Sequence, residues 1–99
     1  MNLALVDSML LKERKGADMD IDSINKLLDE INEDRTVPRN IRKSITDAKD
    51  HLNNTKEDTK VRVSSAIGIL DGISNDPNIP TYTRTQIWNI VSMLEGMNK

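Results

Sequence analysis

The chain has 99 residues, a net charge of −2 and no cysteine, which bounds it to one domain with a single modest core and no disulfide, zinc-thiolate or thiol chemistry. Apolar residues make up 36% and charged residues 30%, with no Phe, one Tyr and one Trp, so the core has to be aliphatic. The slight negative charge argues against a generic nucleic-acid binder, and no apolar run approaches the roughly 20 residues that cross a bilayer.

In chain order, Leu3, Val6 and Leu10, with Leu5 and Met9 alongside, predict a short N-terminal helix over Met1 to Lys15. Gly16-Ala17 should end it, with Lys12, Arg14 and Lys15 in the last turn where the helix dipole favours cations. The segment has neither a basic leader nor a small-residue cleavage site, so a secretory signal is not expected and a cytoplasmic location is. Asp18, Asp20 and Asp22 then read as cap and first-turn acids of a second helix, at about 20–33, with Ile21, Ile24, Leu27, Leu28 and Ile31 as its apolar stripe. The same three acids look like half of a calcium loop. Ser23 stands where that loop's sharp turn wants Gly, and Asp29 stands where it wants a bidentate Glu, so capping is the better reading.

Pro38 is expected at the first position of a third helix, with Ile41, Ile45, Ala48 and Leu52 inward at four-residue spacing. Asp58 or Thr59 should cap a fourth, whose stripe is Val61 or Val63, Ala66, Ile67, Leu70 and Ile73. Gly68 and Gly72 lie on this helix at i, i+4, and each costs about 1 kcal/mol relative to Ala, which suggests that another helix passes close there. Pro80 starts a fifth helix with Ile87, Ile90, Val91 and Leu94 inward and Gly96 as its stop signal.

The chain repeats itself. Asp34-x-x-Val37-Pro38-x-x-x-Arg42 returns as Asp76-x-x-Ile79-Pro80-x-x-x-Arg84, with the prolines 42 residues apart. Leu27, Leu28, Asp29 and Ile31 return as Ile69, Leu70, Asp71 and Ile73. An all-α fold follows: a four-helix bundle of two repeated helical hairpins, about 18–54 and 58–97, with residues 1–17 as an extension helix. A HEAT-like stack is the competing arrangement, but an open solenoid usually needs three or more repeats to bury its faces.

The segments Val37-Pro38-Arg39-Asn40-Ile41-Arg42 and Asn75-Asp76-Pro77-Asn78-Ile79-Pro80 through Arg84-Thr85-Gln86-Ile87-Trp88-Asn89-Ile90-Val91-Ser92 resemble a small archaeal group, Uncharacterised Protein Family 0147. The resemblance covers roughly Met19 to Leu94 and implies a cytoplasmic archaeal four-helix bundle, with no activity attached and residues 1 to about 18 as an extension.

Candidate sites follow from the repeat. Asp34, Pro38, Asp76, Pro80 and Arg84 occupy matching slots, and a role performed twice suggests that they tie turn to helix. Arg39, Arg42 and Lys43 crowd the start of the third helix, where the dipole disfavours cations. Pairing with Glu30, Glu33 and Asp34 across the turn is the structural expectation; contact with an anion or RNA backbone, joined by Arg62, is the functional one. Where the copies disagree, Tyr82 and Trp88 mark a partner surface together with Met93, and Trp88 is expected to be half buried with Arg84 over its face. Lone His51, next to the core position Leu52, belongs to no visible acid–nucleophile constellation, and no phosphate loop or metal-ligand spacing occurs. The expectation is a non-enzymatic interaction module without cofactor or metal, whose partner is a second copy of itself in a dimer or an unidentified protein. An RNA- or ribosome-associated role is the alternative.

Overall fold

A computed structural model describes residues 16–98. They form four helices, α1 (Gly16–Glu33), α2 (Arg39–Leu52), α3 (Thr59–Ser74) and α4 (Thr81–Met97). The helix expected over Met1 to Lys15, with Leu5 and Met9, lies outside the described residues. Gly16-Ala17, expected as a stop, belongs to α1 itself.

Each helix packs on the next, and α1 also packs on α4, while the diagonal pairs stay apart. That closed ring makes the molecule a bundle rather than an open stack. Antiparallel pairing is visible in side-chain bonds between α1 and α2. Asn25 and Asn53 exchange amide bonds at 2.9 Å, Lys49 Nζ donates to Asp29 at 2.6 Å, and Asn32 Nδ2 donates to Thr46 Oγ1 at 3.2 Å. As the position climbs α1 by four and then three, it descends α2 by four and then three.

The anticipated stripes form the core. Ile21, Ile24, Leu28 and Ile31 of α1, Ile41, Ile45, Ala48 and Leu52 of α2, Val63, Ala66 and Leu70 of α3 and Ile87, Ile90, Val91 and Leu94 of α4 are buried together. Val37 and Ile79, just before the two prolines, join them. Of the two valines left open for α3, Val63 is inside and Val61 is exposed.

Three sequence expectations fail here. Gly68 and Gly72 point outward, and a Cβ built on either meets nothing within 4 Å, so no described helix passes close to them. The stripe of α3 is carried by Val63, Ala66 and Leu70, which turn those glycines to the far side. Gly96 does not stop α4, which runs on to Met97, because a helical glycine with open space around it adopts ordinary negative φ. Pro38 and Pro80 lie one residue outside their helices as N-caps, with ψ near 149° in both, rather than at the first helical position.

The inter-helix turn is built three times, not twice. Asp34, Asn54 and Asp76 each accept a bond from the backbone N–H two residues on, at 2.9, 3.1 and 2.8 Å. Each also uses its own carbonyl to accept from the N–H three residues on: Val37, Glu57 and Ile79. The helix then opens with Arg42, Arg62 or Arg84 donating its N–H to the carbonyl of Pro38, Asp58 or Pro80, at 3.0 Å every time. No side chain caps any of these three helices, Asp58 included.

Candidate anion-binding groove

An arginine eight residues after each turn-opening Asp or Asn has a defined task. A helix ends with unpaired carbonyls at the negative end of its dipole, and a guanidinium reaching back onto one satisfies both needs. Arg62 Nε donates to Leu52 O at 2.9 Å, capping the end of α2. Arg84 Nε donates to Ser74 O at 2.9 Å and its Nη2 to Asp76 O at 3.0 Å, capping the end of α3. Both acceptors of Nε lie ten residues back.

Arg42 occupies the same slot and does something else. Its Nε is shielded from solvent and has no hydrogen-bond partner. With Arg39, Asn40, Lys43, Asn32 and Thr46, it lines an open groove of about 920 Å³ between the end of α1 and the start of α2. Nor are the cations there neutralised as the sequence suggested. Among the described residues the ion pair found is Lys49 with Asp29, four residues from the end of α1, and Glu30 and Glu33 are exposed without pairing to Arg39, Arg42 or Lys43. The reason is geometric. The acids of the α1 terminus point outward, and Asp34 spends its carboxylate on the turn, accepting from Thr36 Oγ1 at 2.6 Å and Thr36 N at 2.9 Å. Those bonds, the hydroxyl's first and the backbone's second, hold Asp34 below its ordinary carboxylate value.

Arg39 and Arg42 therefore stand in the first turn of α2, at the positive end of its dipole and with no acid there, each disfavoured by about 0.3–1 kcal/mol, and Lys43 follows directly. An anion in the groove relieves both the dipole and the mutual repulsion.

The other candidates scatter. Arg62 sits at the far end of α2, which has 14 residues and is thus about 20 Å long. Tyr82 is 69% and Trp88 54% exposed, while Met93 is partly buried against the core. Arg84 is held by the carbonyls of Ser74 and Asp76, which gives its guanidinium a task other than covering Trp88. His51 is exposed beside a smaller cleft of about 380 Å³ with Asp47, Asp50, Asn54 and Ile69. No group of three or more His, Cys, Asp or Glu that could hold a metal occurs among the described residues.

Asn32, Asn40 and Thr46 were not singled out from sequence; Asn40 and Thr46 carried a hint only as the counterparts of Tyr82 and Trp88. Asn32 and Thr46 are unremarkable polar positions until antiparallel pairing sets them face to face.

A family model described as an uncharacterised protein family, UPF0147, matches residues 9–97. A UPF0147 protein of Methanothermobacter thermautotrophicus is 43% identical over 101 residues, 99% of this chain and 97% of that protein. One from Methanocaldococcus jannaschii is 58% identical over 69 residues, 70% of this chain and 74% of that one. The likeness thus reaches back beyond Met19, and in the first relative it takes in nearly the whole length. Two solved structures share the fold. A crystal structure of a protein of unknown function, MMP1188, has a TM-score of 0.74 and 53% identity, covering 77% of this chain and 86% of that one. A UPF0147 protein from Thermoplasma acidophilum has a TM-score of 0.76 and 36% identity, covering 82% and 96%.

Proposed function

Since the chain belongs to the archaeal family UPF0147, whose description names no activity, we propose from the groove itself that this is a non-enzymatic accessory protein that grips the phosphate backbone of RNA with Arg39, Arg42 and Lys43. One observation carries the reading. Of three arginines in equivalent slots, two cap the preceding helix, and the third leaves its Nε unpaired beside two further cations in an open groove. The overall charge of −2 does not oppose it, because the field at contact range is set by the local cluster.

Titration of a fluorescein-labelled oligouridylate by fluorescence anisotropy tests the reading. Binding should weaken with salt along a log–log slope of about −2, as three phosphate contacts on a single strand require. Arg39→Gln, Arg42→Gln and Lys43→Gln together should abolish it. No binding at low salt, or unchanged binding by the triple variant, overturns the proposal.

A second reading, self-association, is supported by a different observation. The exposed large apolar side chains of the described region, Val61, Tyr82 and Trp88, all lie on α3 and α4, and aromatic side chains concentrate binding energy. A dimer through the exposed aromatics of α4, Tyr82 and Trp88, predicts a mass that rises with concentration in light scattering and returns to the monomer value in Trp88→Ala. A monomeric mass throughout sinks it.

A further inference from the structure

Charge is spread unevenly over the helices. The exposed positions of α2 include Arg39, Lys43, Asp47 and Asp50, whereas the 17 residues of α4 carry two charges, Arg84 and Glu95. Among the exposed positions of α4 Glu95 alone is charged, and Thr81, Thr85 and Ser92 leave Trp88, 54% exposed, standing among short side chains. Loss of charge around an exposed aromatic marks the centre of an interface rather than a solvated helix. The two charges are also placed in register with the aromatic. At about 100° per residue, Arg84, Trp88 and Glu95 fall within about 40° of one another, with Arg84 and Glu95 about 16 Å apart along the axis and Trp88 between them. Neither charge is matched within the chain: among the described residues the ion pair found is Lys49 with Asp29, and Arg84 bonds to the uncharged carbonyls of Ser74 and Asp76.

A stripe with a cation near its start, an anion near its end and an aromatic between them is complementary to its own reverse. Resting on the reading of α4 as a self-association surface, we infer that its partner is a second copy of this chain, whose α4 packs antiparallel on the first across a two-fold axis. Setting Arg84 of one copy against Glu95 of the other also sets Glu95 of the first against Arg84 of the second, so one placement matches all four charges. A parallel pair would bring like against like. In the antiparallel register position 88 faces position 91. A helical side chain leans toward its own N-terminus by about one position, so Trp88 of each copy lies over Ser92 of the other, where a short side chain leaves room for the indole. Tyr82, about a third of a turn round the helix from Trp88, stands at the rim. The groove of Arg39, Arg42 and Lys43 takes no part, because it opens between α1 and α2, and α2 does not pack on α4.

Light scattering of the full chain over a concentration series gives the dissociation constant, expected in the weak range because one pair of helices buries less than about 1,200 Å². Glu95→Arg sets cation against cation at both ends of the contact and should raise that constant more than about tenfold. Glu30→Arg, the same change of charge at an exposed position of α1, should leave it unaltered. Direction is read by cross-linking, since the chain has no cysteine of its own. Thr85 and Gly96 flank the stripe near its two ends, and Gly96 has open space for a side chain. A mixture of Thr85→Cys and Gly96→Cys chains should give a covalent dimer under mild oxidation, and neither chain should do so alone; circular dichroism checks that every variant stays helical. Suppose the dimer survives Glu95→Arg but not Trp88→Ala, or the cysteine variants still associate without cross-linking in the mixture, or either links to itself. Any of these overturns the antiparallel arrangement and leaves self-association standing. A monomeric mass at every concentration removes both.

Discussion

Thr83 fills in α4 the slot that Ile41 fills in α2, and the exchange leaves a hydroxyl oxygen fully buried without a partner. Thr83→Val replaces that hydroxyl with a methyl of nearly the same shape and removes the penalty. It should raise stability by about 1 kcal/mol, read as a higher melting temperature in circular dichroism. The arginine slots give a sharper comparison. Arg62→Met and Arg84→Met each strip a helix end of its guanidinium cap and should lose about 1–3 kcal/mol in urea unfolding. Arg42→Met breaks no such bond and should leave the unfolding midpoint nearly unchanged, which separates the two capping arginines from the one proposed to hold a phosphate. Asp34 predicts a pH dependence. Its carboxyl is held below 3.8 by Thr36, so its contribution is present above the unfolded value and lost as pH falls through the lower folded one. Asp34→Asn should therefore flatten the acid limb of the melting-temperature profile below about pH 4, the ordinary carboxylate range, relative to the wild-type chain. A limb of unchanged steepness would rule out that role.

On the scale of elements, the turn shows what could be read from residues and what could not. The first and third turns were plain in the sequence because both carry Asp, an apolar residue, Pro and Arg at fixed spacing. The middle one was hidden, because Asn54 replaces Asp and Glu57-Asp58 replaces Val37-Pro38. Proline presets the φ of the residue before the helix, but Asp58 reaches the same geometry, φ −61° and ψ 149°, without it. The surviving signal is an Asx residue eight positions before an arginine, found at 34 and 42, 54 and 62, and 76 and 84. Charge arithmetic misled in a comparable way. Acids of α1 and bases of α2 were close in sequence, but helical phase decides which side chains meet, and it matched Asp29 with Lys49. The same phase sets Gly68 and Gly72 outward in open space. Gly68→Ala and Gly72→Ala should then each stabilise the protein by about 0.5–1 kcal/mol, measurable as additive shifts of the urea midpoint. A loss of stability in either would mean that the face of α3 is occupied after all.

Over the whole molecule, the aliphatic core was the most readable feature, since periodicity alone selects an inward stripe and four stripes have few ways to close. Leu70 and Ile87 are fully buried, so Leu70→Ala or Ile87→Ala should cost 2–5 kcal/mol, about the usual range for such truncations, seen as a lowered melting temperature. What periodicity could not supply is which helices touch more heavily: α2 and α3 share the most extensive contact, and α1 with α4 the slightest. The strong seam joins neighbours along the chain, whereas the weak one joins its two ends and must overcome the largest loop-closure entropy. Assembly should accordingly begin at the centre and finish by shutting the ring. In stopped-flow experiments, Leu52→Ala should slow refolding, whereas Ile21→Ala should chiefly quicken unfolding. The order of events in time would then be the reverse of the chain's apparent symmetry, with the two look-alike hairpins sharing one nucleus that belongs to neither.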